Sequence, residues 1–139
     1  MPNSLVKAVV DGPLASFANS VGEHVYFTCQ PNCSGPYYDV MELCGCGGIW
    51  QVNDLTGITS AEPHQDLNDV LAGFTQGSGS SAIEQVAYYG ITTPGQLNVD
   101  LYVNWWTSAN GWKFEDLNTI TGAPSPGYSG SNVLTGLIR

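Results

Sequence analysis

The chain has 139 residues, 12 of them acidic against 3 basic, and a formal net charge of −9. That length allows a domain with a real core, and the charge argues against nucleic acid and anionic membrane surfaces, which need clustered Lys and Arg. Charged residues are only 11%, with 17 Gly and 8 Pro, but the 4 Trp, 7 Tyr and 4 Phe favour a packed, turn-rich β domain over disorder.

No apolar run approaches membrane-spanning length, so no membrane insertion is expected. The start, Met1-Pro2-Asn3-Ser4-Leu5, lacks a basic segment followed by an apolar one. Cytoplasmic and exported locations both stay open.

In chain order, Asp11-Gly12-Pro13 is a turn signal, and 14–17 reads as a short strand. Gly22 breaks the chain, and His24-Val25-Tyr26-Phe27-Thr28 is rich in β-branched and aromatic residues, a second strand. Residues 31–36 form a loop between two prolines, 38–44 a third strand, Gly47-Gly48 a turn and 50–55 a fourth strand. Four short, closely spaced strands make a meander, the unit of a β-propeller or barrel.

The same order recurs downstream. Leu71-Ala72-Gly73-Phe74 matches Leu14-Ala15-Ser16-Phe17, and 84–88 matches 23–27. Counting back from the two Trp residues without a gap, 101–106 matches 39–44, which sets Asn104 against Glu42. The clearest copy joins Trp50, Asp54-Leu55 and Ile58-Thr59 to Trp112, Asp116-Leu117 and Ile120-Thr121, each followed by a turn ending in Pro. Asp54 and Asp116 at matched places point to a turn or cap role. A third partial copy, 131–138, resembles the first strand of a unit. Helices at 64–74 and 81–89 fit the periodicity too, but their matches to strand-like segments disfavour them.

The expected fold is therefore all-β: a single domain, 1–139, with blade 1 at about 11–63, blade 2 at about 68–126 and a surplus strand at 131–138. Each blade is a four-stranded antiparallel sheet with two faces to bury. Two blades leave two faces uncovered, so the propeller is completed by oligomerisation, six blades as a homotrimer being the favoured form.

The four cysteines are Cys29, Cys33, Cys44 and Cys46. Their C-x3-C and C-x-C spacing is not a standard zinc pattern, and no metal site is assigned. Disulfides and free packing thiols both remain open.

The ordered motifs His24-Val25-Tyr26, Glu42-Leu43, Trp50 and Asp54-Leu55-Thr56, then Gln85-Val86, Trp105-Trp106, Trp112, Asp116-Leu117 and Thr121-Gly122-Ala123-Pro124 resemble the repeat of fucose-lectin-type β-propellers. The resemblance implies a non-catalytic lectin that binds fucose or a related glycan between blades. A polar pair on one blade would face an apolar wall on the next. Carried over, the first pocket has His24 and Glu42 as the polar pair, with Trp106 and Trp112 as the wall. The family's usual Arg is His24 here. A weaker second pocket, between chains, has Gln85 and Asn104 facing Gly45 and Trp50. Packing is the competing role for the Trp residues and the one favoured for Trp50. Solvent-facing polar residues are the competing reading of His24, Glu42, Gln85 and Asn104. Trp105 and Trp106 are adjacent, so on a strand they point to opposite faces.

The alternative is a structural or protein-interaction propeller that has lost sugar binding. An enzyme is not expected: no nucleophile elbow, HExxH, P-loop or dinucleotide fingerprint occurs, no paired carboxylates are evident, and no cofactor is implied.

Overall fold

The computed structural model describes residues 12–29, 38–61, 70–90 and 100–125. They form two four-stranded antiparallel sheets. Sheet 1 runs β1 Leu14–Ala18, β2 Gly22–Cys29, β3 Asp39–Cys46 and β4 Ile49–Asp54, and is followed by helix α1 Leu55–Thr59. Sheet 2 runs β5 Ala72–Gln76, β6 Ile83–Gly90, β7 Asp100–Thr107 and β8 Gly111–Asp116, followed by helix α2 Leu117–Thr121. Each sheet is a plain meander, every strand pairing with the next in sequence. The surplus strand expected at 131–138 lies outside the described residues. The helix considered at 81–89 is a single 3-10 turn, Gly79–Ser81, followed by strand β6. Among the described residues no helix is long and apolar enough to cross a membrane.

Strand lengths repeat as five, eight, eight and six residues in both sheets. The turns do not. Gly47 and Gly48, both at positive φ, join β3 to β4 in two residues, the geometry that matches strand twist. Between β7 and β8 lie three residues, 108–110, closed by Gly111 at φ 65°. That one extra residue corrects the alignment made from sequence. By strand register Glu42 corresponds to Val103, and Asn104 to Leu43. A slip of one residue moves a side chain to the other face.

The short helices were not expected, but their caps were. Asp54 Oδ1 accepts from Gly57 N–H at 2.8 Å and Asp116 Oδ1 from Thr119 N–H at 3.0 Å, each satisfying an otherwise unpaired helix donor. The second helical residues also match in role. Thr56 Oγ1 accepts from Val40 N–H at 2.9 Å, and Asn118 Oδ1 from Leu101 N–H at 2.6 Å. Each helix thereby clamps the start of the third strand of its own sheet.

The sheets pack on each other through one face each, termed inner. Sheet 1 contributes Phe17, Tyr26 and Val40 with Leu55; sheet 2 contributes Val86, Tyr88, Tyr102, Trp112 and Phe114 with Leu71. Tyr26 meets Trp112 edge-on, centroids 6.3 Å apart, and a Tyr88, Tyr102, Phe114 row runs across sheet 2 at 5.9 and 5.1 Å. Such pairs add about 0.5–1.5 kcal/mol each beyond area burial. Gly73 is what lets Tyr26 lie so close: a Cβ there would fall 3.0 Å from the Tyr26 ring.

The contact is head-to-tail, not face-to-same-face. Val86, Tyr88, Tyr102, Trp112 and Phe114 correspond by register to Val25, Phe27, Met41, Trp50 and Val52, on the outer face of sheet 1. The inner face of sheet 1 in turn corresponds to the outer face of sheet 2. That outer face carries Phe74, Gln85, Val103 and Trp105.

Candidate functional site

Period-2 alternation places His24, Tyr26 and Glu42 together on the inner face of sheet 1, since Tyr26 pairs with Glu42 across β2 and β3. Their exposures are 1% for His24 and 2% for Glu42, so neither is the solvent-facing strand residue weighed from sequence. His24 Nδ1 lies 2.8 Å from Glu42 Oε1, and Asn53 Nδ2 donates to Glu42 Oε2 at 2.7 Å. The Tyr26 hydroxyl donates to Glu42 Oε1 at 3.4 Å. Glu84 of sheet 2, 3% exposed, brings Oε1 to 3.4 Å from His24 Nε2. Asn19, in the turn between β1 and β2, donates to the same oxygen at 3.0 Å.

Sequence reasoning found His24 and Glu42 but missed Glu84, Asn19 and Asn53. Glu84 had a visible signal: it repeats Glu23, one place before His24, and so belongs on the face that meets sheet 1. Burial raises the Glu84 pKa, with a smaller upward push from Glu42, while Asn19 and His24 pull it down. Burial, then the Glu42 and Glu84 charges, push the Tyr26 phenol up.

Trp106 and Trp112 are directly paired on β7 and β8, and Glu84 pairs with Trp106. All three sit on the face of sheet 2 that meets sheet 1. The polar pair and the two Trp residues thus lie on opposed faces. Trp112 packs edge-on against Tyr26, and Glu42 already accepts hydrogen bonds on both oxygens.

The second set separates. Gln85 pairs with Trp105, whereas Asn104 pairs with Val86, so the two amides are on opposite faces. Asn104 is fully buried rather than solvated, and its Oδ1 accepts from Thr59 Oγ1 at 3.2 Å. Trp50 is 57% exposed in the single chain. Its ring lies over Gly45: a Cβ on Gly45 would be 3.1 Å from Trp50 Cη2.

A groove of about 320 Å³ opens on the outer face of sheet 2, lined by Phe74, Gln85, Val103, Trp105, Glu115 and Leu117 among others. It occupies the place that Phe17, His24, Glu42, Cys44 and Asn53 occupy on sheet 1. Trp105 Nε1 is buried and has no hydrogen-bond partner among the described residues. Trp105 was missed because the slipped alignment put Trp106 at the place that register gives to Trp105; Glu115 and Phe74 were missed as well.

Cys44 and Cys46 are joined as a disulfide, Cα atoms 5.3 Å apart. Cys29 is half-buried at the end of β2, and Cys33 lies outside the described residues. No protein-family model, curated protein or solved structure matches the chain.

Proposed function

We propose that the chain is the two-sheet subunit of a ring-closed β-propeller that acts as a non-catalytic carbohydrate-binding lectin. The observation that carries this is the outer-face groove of sheet 2. Phe74 and Trp105 offer apolar surface for the C–H face of a sugar. Gln85 supplies both donor and acceptor, Glu115 accepts hydroxyl hydrogens, and the unpaired Trp105 N–H needs an acceptor. Its volume of about 320 Å³ suits a monosaccharide-sized ligand, at the lower end of small-molecule sites.

This reverses the order of the two expected pockets. The His24–Glu42 pocket is filled by the protein's own Glu84 and Asn19, leaving little for a sugar to bond. The groove, at the chain-to-chain position, is open.

Assembly follows from the same repeat. Within the chain, the inner face of sheet 1 covers the inner face of sheet 2. Their counterparts are the groove face of sheet 2, where a groove opens beside the buried Ala87 and Val103, and the sheet 1 face with Leu14 69%, Trp50 57% and Val52 49% exposed. A second copy can lay its sheet 1 on this chain's sheet 2, repeating the internal contact. Such head-to-tail contacts close as rings, and three chains give six sheets. The indole of Trp50, spread over Gly45, would then form the far wall of the groove. Several weak sites on one ring raise avidity for glycan surfaces.

The test is a glycan array followed by titration of fucose and related monosaccharides. Trp105→Ala and Gln85→Ala are expected to weaken binding at least about tenfold, one polar contact or stacked ring. Unchanged binding in both variants sinks the groove as the site. The sealed first pocket favours a second reading, a structural or interaction propeller. A stable oligomer without any glycan hit would select it.

A further inference from the structure

We propose that the seam between the sheets binds one first-row divalent cation, held by His24 Nε2, the Glu84 carboxylate and the Asn19 side-chain oxygen. Glu42 fixes the imidazole from behind. This inference does not rest on the glycan reading.

Acceptors outnumber donors at this seam. Asn19 cannot be flipped, because its Oδ1 accepts from Val21 N–H at 2.8 Å and Gly22 N–H at 3.1 Å. Its Nδ2 is committed to Glu84 Oε1. A carboxylate only accepts, so Glu42 Oε1 draws the proton of the neutral imidazole to Nδ1. Nε2 then presents a lone pair. It faces Glu84 Oε1 at 3.4 Å and Asn19 Oδ1 at 3.4 Å. Three acceptor atoms converge; Glu84 Oε1 and Asn19 Oδ1 already receive donors, and Nε2 alone has none, in a place that is 97–99% shielded at His24 and Glu84. Such a gap calls for a positive charge.

A proton held within the cluster is one candidate, and burial already pushes the Glu84 pKa up; a divalent cation instead bonds all three acceptors at once. The only Lys or Arg among the described residues is Lys113, paired with Trp105 on the outer face of sheet 2. Buried uncompensated charge is strongly unfavourable. A divalent cation removes the deficit.

The spacing fits. Ligand atoms about 2.0–2.2 Å from a tetrahedral ion are separated by roughly 3.3–3.6 Å, and Nε2 is 3.4 Å from both oxygens. One atom each from His24, Glu42 and Glu84 lies within 4.8 Å of the others. An imidazole nitrogen among oxygens suits Zn²⁺, Mn²⁺ or Fe²⁺ rather than Ca²⁺ or Mg²⁺. A carboxylate behind the other imidazole nitrogen is the usual support for a metal-binding His. Because the ligands come from both sheets, the ion would pin sheet 1 to sheet 2.

The test uses the full chain with Zn²⁺, added to folded protein and during refolding, then dialysed and assayed for bound metal. About one ion per chain is expected. Glu84→Gln should lower affinity at least about 100-fold, by removing a charged ligand. Glu42→Gln should lower it about 10–100-fold, as an orienting partner. Cys44→Ser with Cys46→Ser should leave it unchanged, separating this site from the alternative set of His24, Cys44 and Cys46. Co²⁺ substitution gives a reading that needs no variant: d–d bands without a thiolate charge-transfer band. Substoichiometric metal in the wild type, full binding in a folded Glu84→Gln, or a thiolate band would each overturn the proposal.

Discussion

The head-to-tail packing of the two sheets can be tested at Gly73. The Gly73→Ala change adds a Cβ 3.0 Å from Tyr26 Cδ2, 3.2 Å from Tyr26 Cε2 and 3.3 Å from Phe17 Cδ1. Carbon atoms pack best at about 3.5–4.0 Å, so two rings must withdraw by roughly half an ångström. Tyr26 is fully buried, packed against Trp112 and tied to Glu42, so it has little room. Overpacking of this kind costs about 1–3 kcal/mol. The φ at Gly73 is not positive, so removing a glycine from the unfolded chain returns about 0.4–1 kcal/mol. The net expectation is a loss of about 1–2 kcal/mol. Ser16 is the control: by register it holds the same place in sheet 1, but it is exposed. Ser16→Ala should stay within about 0.5 kcal/mol. Urea unfolding followed by Trp fluorescence reads both. A Gly73→Ala protein as stable as the wild type would refute the packing of Tyr26 on sheet 2.

Two further outcomes follow. Burial, then the neighbouring Asp54 charge, push the half-buried Asp39 up to about 6 from 3.8. The folded state then holds its proton more tightly than the unfolded state, so this stability is present below about pH 4 and is lost as pH rises through about 6. Asp39→Asn should therefore raise stability at pH 8 by about 1 kcal/mol after allowance for solvent screening, and flatten that pH window; an unchanged pH profile of thermal melting would contradict this. Asp54→Ala and Asp116→Ala each remove a helix cap and should cost about 1 kcal/mol, read as a lower urea midpoint; no shift in either would mean that the caps add nothing.

Much of the fold was legible because the signals are local. Alternating β-branched and aromatic residues mark β2 and β6, Gly47-Gly48 marks a hairpin, and the paired Asp-Leu steps mark the caps. The turn lengths were the weak point. Nothing in Ser108-Ala109-Asn110 announces that it is one residue longer than Gly47-Gly48, yet that residue decides to which face Asn104 points and to which Trp105 points. The site was half legible for a different reason. His24 and Glu42 stand out by type and position, but their burial depends on groups distant in sequence. Asn19 and Glu84 are 65 residues apart and meet only once the sheets stack. Trp50 shows the converse: its matched position suggested a packing role, and in the single chain it lies exposed on the outer face of sheet 1.

The claim at the centre of this account is that the chain's two open faces complete each other as its two inner faces do. Molar mass in solution by light scattering tests this most directly. Each chain is 14.8 kDa, so a six-sheet ring has a mass of about 44 kDa. Val52→Glu, on the exposed face of sheet 1, should release monomers with unchanged circular dichroism, because a charge there opposes docking without touching the internal core. A wild-type mass of 14.8 kDa at micromolar concentration, or an oligomer indifferent to Val52→Glu, would contradict it.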